Sequence, residues 1–161
     1  VPDDFHPRHC DTKKTYEYRI YMGKYEYPIG RQYAHFVYVP LDIEKMQEAA
    51  QYLVGEHDFK SFCVAKAQVL TTVRTIYDIE VKKEGDYLTI RVCGGGFLFN
   101  MVRIIAGTLL EIGRGNMEPH QMKDILEAKD RQAAGPTAPA RGLTLVKFEF
   151  CEDIFTENSQ A

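Results

Sequence analysis

The 161-residue chain has the length of one domain, with 45% hydrophobic residues and a formal net charge of −3. The acidic balance excludes a uniformly basic nucleic-acid coat, and no apolar run approaches the roughly 20 residues of a membrane span. The four cysteines lie far apart without a Cys-x-x-Cys pair, which excludes a zinc knuckle and a dense disulfide framework. We therefore expect reduced thiols and a cytoplasmic protein with no membrane partner.

The first part of the chain predicts two strands followed by a helix. Residues 16–22 alternate tyrosines with polar side chains, which favours a strand, and residues 34–39 predict a second, shorter one. Asp42 is a suitable N-cap for an amphipathic helix over 43–54, because apolar residues recur there at helical spacing.

The middle of the chain predicts a turn, a loop and a hairpin. Residues 57–62 indicate a single turn that buries its two phenylalanines, and residues 63–72 have no clear period, so we expect a functional loop there. Residues 73–83 alternate as a half-buried strand, and residues 87–93 predict its hairpin partner after a short turn.

The stretch over 94–115 predicts one buried helix around which the rest of the chain is organised, because apolar residues surround it almost completely. Its one polar stripe follows steps of three or four residues and consists of Asn100, Arg103, Gly107 and Glu111. An arginine that points inward stays charged and needs an anion. The anion is either a carboxylate of this chain in a structural salt bridge or a partner at an active-site cleft.

The remaining elements complete an α+β pattern. Residues 119–128 predict a helix, residues 131–142 a loop and residues 143–150 the last strand. Without the shorter elements the order is βαββαβ, which predicts a ferredoxin-like α+β fold with an antiparallel sheet and helices on one face.

The chain divides into three segments by composition. We expect a linker over 1–15, an α+β domain over 16–152 and a frayed tail over 153–161. The first residue is Val1, and the segment after it resembles a linker more than a folded start, so we expect a fragment of a longer protein.

Common cofactor and metal motifs are incomplete in this sequence. Gly94, Gly95 and Gly96 lack the third glycine of a dinucleotide fingerprint and the Lys-Ser/Thr of a P-loop. His6 and His9 lie three residues apart, but a proline between them breaks helical geometry and no third ligand is near, so surface histidines are favoured over a metal site.

Positive charge is concentrated in two stretches. Residues 6–24 contain five Lys or Arg against two acids, and residues 60–77 contain three and no acid. These stretches either form two separate solvated faces or, if the fold brings them together, a phosphate-binding track.

Six motifs extend over almost the whole chain in a recognisable order. They are Phe-His-Pro-Arg over 5–8 with Tyr-Glu-Tyr over 16–18, Gly-Glu-His-Asp-Phe-Lys-Ser-Phe over 55–62, Val-Arg-Thr-Ile over 73–76, Gly-Phe-Leu-Phe-Asn-Met-Val-Arg over 96–103, Ala-Lys-Asp-Arg over 128–131 and Gly-Pro-Thr-Ala-Pro over 135–139. Together they resemble the tRNA pseudouridine synthase A family. The resemblance implies an enzyme that isomerises uridines 38, 39 and 40 of the tRNA anticodon stem-loop to pseudouridine, without a cofactor and as a homodimer.

The resemblance also implies roles for particular residues. Tyr16 matches the tyrosine that stacks on the target base, although an ordinary core tyrosine of a strand is the alternative. Arg103 matches the arginine that pairs with the catalytic aspartate. The resemblance also implies that the linker over 1–15 contacts RNA through Phe5, His6 and Arg8, which would support extrusion of the base. Lys66 and Gln68 in the loop are the other implied RNA contacts.

The family's nucleophile is the aspartate of a Gly-Arg-Thr-Asp motif, which this sequence lacks. The chain therefore resembles the C-terminal half of the family, and we expect it to be inactive alone. The alternative is a non-catalytic RNA-binding or dimerisation module with a ferredoxin-like fold. A Gly-Arg-Thr-Asp motif upstream in the same reading frame would distinguish the two.

Overall fold

The computed structural model describes residues 13–22, 34–37, 39–64 and 71–149. Its strands are β1 (Lys13–Tyr21), β2 (His35–Phe36), β3 (Gly55–Asp58), β4 (Val73–Glu84), β5 (Tyr87–Gly94) and β6 (Leu143–Glu149). Its helices are α1 (Ile43–Gln51), α2 (Met101–Gly113) and α3 (Gln121–Ala128), with short 3₁₀ turns at Lys60–Phe62, Arg131–Ala133 and Ala140–Gly142.

The strands form one sheet in the order β2-β1-β5-β4-β3, and β6 also pairs with β1. β1 is antiparallel to β5 and β6, whereas β2 is parallel to the end of β1 beside Ile20 and Tyr21. The elements β1, α1, β4, β5, α2 and β6 have the βαββαβ order, with β6-β1-β5-β4 adjacent in the sheet. The predicted ferredoxin-like α+β fold is therefore confirmed.

The helices cover one face of this sheet. α1 packs on β4, α2 packs on β1, and the two helices pack on each other. The strand side chains beneath them are buried, as Tyr18 and Ile20 of β1 and Ile90 of β5 show. None of the helices in the described part of the chain is long and apolar enough to cross a membrane.

The central helix has the predicted character but a later start. Every residue of α2 is buried except Arg103 and Glu111, two members of the predicted polar stripe. The helix begins at Met101 rather than near residue 94, because Gly94 is the last residue of β5 and Asn100 has a φ of 63°, which α-helix does not allow.

Strand β3 differs from the sequence-based expectation. Residues 57–62 were expected to form one turn, but His57 and Asp58 end a strand that pairs with β4, and only Lys60–Phe62 form a 3₁₀ turn. The segment Gly-Glu-His-Asp has no alternating apolar pattern, so backbone pairing at the sheet edge decides its conformation. Phe59 and Phe62 are fully buried, as predicted.

Three other elements are shorter than expected, whereas β1 begins at Lys13, three residues before its predicted start. β2 contains only His35–Phe36, α1 ends at Gln51, and α3 begins at Gln121 because a turn over 118–121 precedes it. Asp42 caps α1 as predicted, since its side chain accepts a hydrogen bond from the Lys45 N–H. The described residues leave out 65–70 of the predicted functional loop, 1–12 of the predicted linker and the whole predicted tail. Residues 13–15, the end of the predicted linker, belong to β1.

Candidate active site

Strand β1 presents Tyr16 and Tyr18 on the sheet face that carries the helices, because residues two apart on a strand share a face. Tyr18 is fully buried, and Tyr16 is half-buried. The Tyr16 ring meets the Phe97 ring edge to face, with the ring centroids 5.2 Å apart at an interplanar angle of 85°. The segment that leads into α2 therefore contacts the Tyr16 ring through Phe97.

Arg103 lies in the first turn of α2 and is half-buried. Its Nε donates a hydrogen bond to the Ala138 carbonyl at 2.8 Å, and one terminal nitrogen donates to the Asn100 side-chain oxygen at 3.1 Å. Among the described residues no carboxylate forms a salt bridge with it. The remaining guanidinium N–H groups are therefore available to an anion that the described part of the chain does not supply.

Asn100 determines how the backbone enters α2. Its φ of 63° and ψ of 8° are left-handed, a conformation that asparagine adopts more readily than most residues. Its carbonyl accepts the Ile104 N–H at 2.9 Å, while its side chain receives Arg103 instead of capping the helix. The unusual turn thus directs an amide oxygen at the arginine.

The segment Gly135–Pro139 lies along the polar stripe of α2. The Ala138 N–H donates to the Arg103 carbonyl at 3.0 Å, so Arg103 and Ala138 are joined by two hydrogen bonds. A Cβ on Gly107 would lie 1.7 Å from the Pro136 carbonyl oxygen, so only glycine permits this approach. The polar face of α2 therefore carries Arg103 and also packs against this segment.

Glu111, the last member of the stripe, is not the partner of Arg103. Its carboxylate accepts hydrogen bonds from Arg114 at 2.9 Å and from Asn116 at 2.8 Å. The structural salt bridge within α2 that the sequence left open is thus absent between Arg103 and Glu111.

Tyr18 connects the strand to the same segment. Its hydroxyl donates to the Pro139 carbonyl at 2.7 Å. Burial raises the pKa of Tyr18 far above its usual range, and the opposing effects of Arg103 and Arg141 are smaller. The hydroxyl therefore remains a proton donor at all working pH values.

The electrostatic character of this corner favours an anion. Arg103 and the N-terminal end of α2 are both positive, and the first N–H groups of a helix lack intrahelical acceptors. The half-buried Tyr16 ring offers an aromatic surface on the same side of the sheet. The arginine and the helix end suit a carboxylate or a phosphate, and the tyrosine ring suits a planar base.

Two of the seven predicted site residues, Tyr16 and Arg103, lie in the described part of the chain, and the fold brings both to the side of the sheet where α2 begins. The other five, which are Phe5, His6, Arg8, Lys66 and Gln68, lie outside the described residues, so their roles stay predictions.

The sequence alone indicated no functional role for Tyr18, Asn100 or Ala138. The position of Tyr18 two residues after Tyr16 was the one available signal.

A family profile described as tRNA pseudouridine synthase matches residues 49–151. The chain belongs to the tRNA pseudouridine synthase family. The match includes all elements from the end of α1 to β6, with Arg103 and the Gly135–Pro139 segment inside it. The resemblance drawn from the six sequence motifs is confirmed.

Similar proteins of this family come from several bacteria. The tRNA pseudouridine synthase A of Bacillus licheniformis is 50% identical over 145 residues, which are 90% of this chain and 59% of that protein. The Bacillus subtilis protein is 50% identical over 143 residues, 89% of this chain and 58% of its own length. That of Thermoanaerobacter pseudethanolicus is 44% identical over 147 residues, 91% and 60% respectively. The chain thus spans about three-fifths of the length of these curated relatives.

Proposed function

We propose that this chain is the C-terminal part of a cytoplasmic tRNA pseudouridine synthase that isomerises uridines 38, 39 and 40 of the anticodon stem-loop. In this proposal the chain supplies the base-stacking tyrosine, the arginine that pairs with the nucleophile and contacts to tRNA. The nucleophilic aspartate comes from an N-terminal half, and the whole protein works as a homodimer. The observation that carries the proposal is Arg103, a fixed, half-buried arginine without a carboxylate partner among the described residues.

Arg103 acts on the nucleophile through charge and shape. A guanidinium next to a carboxylate lowers the pKa of that carboxylate and keeps it ionised, which a nucleophile requires. Its planar group can also hold both carboxylate oxygens, which fixes the direction of attack. The hydrogen bonds to Ala138 and Asn100 support this role, because they orient the guanidinium before any carboxylate arrives.

Tyr16 acts on the base. Stacking on an aromatic ring stabilises an extruded base by about 1–3 kcal/mol, independent of base identity. The Tyr16 ring is only half-buried and meets the Phe97 ring edge to face, so part of the aromatic surface is available to a base.

The reaction needs no cofactor. The carboxylate attacks the sugar of the target uridine, the bond between the sugar and N1 of the uracil breaks, and the detached uracil rotates within the pocket. C5 then forms the new bond to the sugar as the bond between the sugar and the carboxylate breaks, which regenerates the free carboxylate. A base removes the C5 proton, and N1 takes up a proton, so the product is an isomer of the substrate. Arg103 keeps the carboxylate ionised, and Tyr16 retains the uracil while it is detached.

The test uses tRNA transcripts with tritium at C5 of uridine, because loss of the C5 proton releases tritium to water. The full-length protein should release tritium from transcripts with uridines at 38, 39 and 40, and transcripts without them should release none. The 161-residue chain alone should release none from either. Tritium release by the isolated chain would contradict the proposed role of an outside nucleophile.

The same full-length protein tests the proposed RNA contacts. Arg8→Ala and Lys66→Ala should each weaken tRNA binding and reduce the slope of log K against log salt by about one unit for each phosphate that the side chain neutralises. The exposed Lys82, which pairs with Glu84 at 2.9 Å, provides a control position. If full-length protein binds tRNA without tritium release, the chain belongs to the alternative class of non-catalytic RNA-binding modules.

A further inference from the structure

We infer that the segment Gly135–Pro139 is a bracket that orients Arg103, and that Tyr18 is a positioning residue that acts through this bracket. The inference rests on the proposed function, because it concerns how Arg103 meets the nucleophile. The sequence motif Gly-Pro-Thr-Ala-Pro over 135–139 has otherwise no assigned role.

The bracket holds Arg103 by its side chain as well as its backbone. The Ala138 carbonyl accepts from Arg103 Nε at 2.8 Å, and the Ala138 N–H donates to the Arg103 carbonyl at 3.0 Å. Ala138 is only 3% exposed, so water does not replace these bonds easily. A shift of Ala138 would therefore move or release the guanidinium.

The start of the bracket is hydrogen-bonded to α2 and to Arg131, which precedes it in the chain. The Gly135 N–H donates to Thr108 Oγ1 at 2.9 Å, in a position where a Cβ on Gly135 would lie 2.8 Å from the Thr108 Cα. Arg131 donates to the Gly135 carbonyl at 2.8 Å and to Thr137 Oγ1 at 3.0 Å. These contacts fix the bracket before Ala138.

The end of the bracket is anchored to the sheet by Tyr18. The Tyr18 hydroxyl donates to the Pro139 carbonyl at 2.7 Å, one residue beyond Ala138. Gly142 fits against the Tyr18 ring, since a Cβ there would lie 2.7 Å from the ring's Cζ. Because proline restricts the backbone at positions 136 and 139, a displacement of Pro139 is transmitted to Ala138 rather than absorbed.

A looser bracket has a specific chemical consequence. If Arg103 pairs less well with the nucleophilic carboxylate, the pKa of that carboxylate rises toward its ordinary value. When the solution is acidified, activity is then lost at a higher pH than in the unchanged protein. The acid limb of the kcat/KM profile therefore shifts to higher pH. The described charged or titratable groups near Tyr18 are Arg103, Arg141 and His35. Loss of the tyrosine hydroxyl removes none of these groups.

The experiment compares Tyr18→Phe with Gln47→Met in the full-length protein. Tyr18→Phe should lower kcat by about 10- to 100-fold, leave KM for tRNA within about twofold and shift the acid limb upward. Gln47→Met removes the hydrogen bond that the Val81 N–H donates to the Gln47 side-chain oxygen at 2.7 Å, a bond between α1 and β4 that involves no residue of the bracket. It should lower the melting temperature without changing kcat or the pH profile.

The possible outcomes separate this inference from the proposed function. If the unchanged protein releases no tritium, the proposed function fails first. If it is active and Tyr18→Phe keeps its kcat and pH profile, the bracket is only structural. An equal loss of kcat in Gln47→Met would also overturn the inference.

Thr137→Val provides a second variant if Tyr18→Phe does not fold. It removes only the hydroxyl that accepts from Arg131, at a half-buried position. We expect a smaller fall in kcat with the same direction of pH shift. An unchanged pH profile in this variant would overturn the inference.

Discussion

Helix α2 carries one arginine near each end, and the two arginines have opposite electrostatic surroundings. Arg114 follows the C-terminal end, where the helix dipole is negative, and it pairs with Glu111 at 2.9 Å. Arg103 lies in the first turn, where the dipole is positive, and no described carboxylate pairs with it. The helix dipole therefore favours a cation at Arg114 and disfavours one at Arg103.

We interpret this difference as one between an arginine with a structural role and an arginine with the proposed catalytic role. Arg114 follows two preferences of helices, since it is a cation near the C-terminal end and pairs with an acid three residues earlier. Arg103 is a cation near the positive end of the helix dipole, which is unfavourable, and hydrogen bonds to Ala138 and Asn100 hold its side chain there. Departures from local preference concentrate at functional sites, so we interpret Arg103 as placed for an anion from outside the described residues.

The same substitution at the two arginines should give the largest contrast. In the full-length protein, Arg103→Lys should lower kcat/KM by about 100- to 1,000-fold, because lysine keeps the charge but loses the planar group that holds a carboxylate. Arg114→Lys should change it by less than about twofold, since it alters only a surface pair. Tritium release from tRNA measures both, and equal losses would remove the distinction between the two ends.

A methyl group added at the middle of α2 or at its C-terminal end tests the packing side of the comparison. In Gly107→Ala the new Cβ meets the Pro136 carbonyl oxygen at 1.7 Å, so the segment must move and stability should fall by about 3 kcal/mol. In Gly113→Ala the Cβ meets the flexible Met46 Sδ at 2.6 Å, and the cost should be nearer to about 1 kcal/mol. Urea unfolding gives both values, and a larger loss at Gly113 would contradict this packing.

The left-handed turn before α2 has its own matched pair. Asn100→Ala and Asn100→Gly both remove the acceptor of Arg103, so both should lower kcat. Only alanine adds the backbone strain of φ 63°, so it should be less stable than the glycine variant by about 1 kcal/mol. Lys129, with φ 50° after α3, is the control: Lys129→Gly should stabilise the protein without an effect on kcat.

The smallest expected effect concerns the pKa of His35. Burial lowers it most, and the positive charges of Arg114 and Arg141 lower it further. Arg114→Gln should therefore raise the pKa of His35, whereas Arg103→Gln should leave it unchanged. Because the pKa of His35 is lower in the folded than in the unfolded chain, the free energy of unfolding falls as the pH drops below about 6.5. This loss of stability should be smaller in Arg114→Gln. Proton NMR of the imidazole measures the shift, and a response to Arg103→Gln alone would be inconsistent with this geometry.

The sequence predicted those parts of the molecule that local patterns determine. The apolar spacing around Arg103 predicted a helix with one polar stripe, and the alternation over 73–93 predicted the β4–β5 hairpin. The sequence did not reveal strand β3, because its four residues show no alternation of apolar and polar side chains although they pair with β4. Backbone pairing leaves no trace in side-chain periodicity.

The site was predictable only in part for the same reason. Arg103 and Tyr16 could be named because an inward arginine needs an anion and because both belong to motifs of the family. The contacts of Arg103 with Ala138 and of Tyr18 with Pro139 join residues that are 35 and 121 positions apart. They depend on a loop rich in Gly and Pro, where only the tertiary structure shows which carbonyl faces which donor.

The most direct test of the central claim is an experimental structure of the full-length protein. We predict that a carboxylate from the part of the protein outside this chain lies within about 4 Å of the Arg103 guanidinium. The hydrogen bond from Arg103 Nε to the Ala138 carbonyl should be retained in that structure. A structure in which Arg103 pairs with an acid of these 161 residues would contradict the claim.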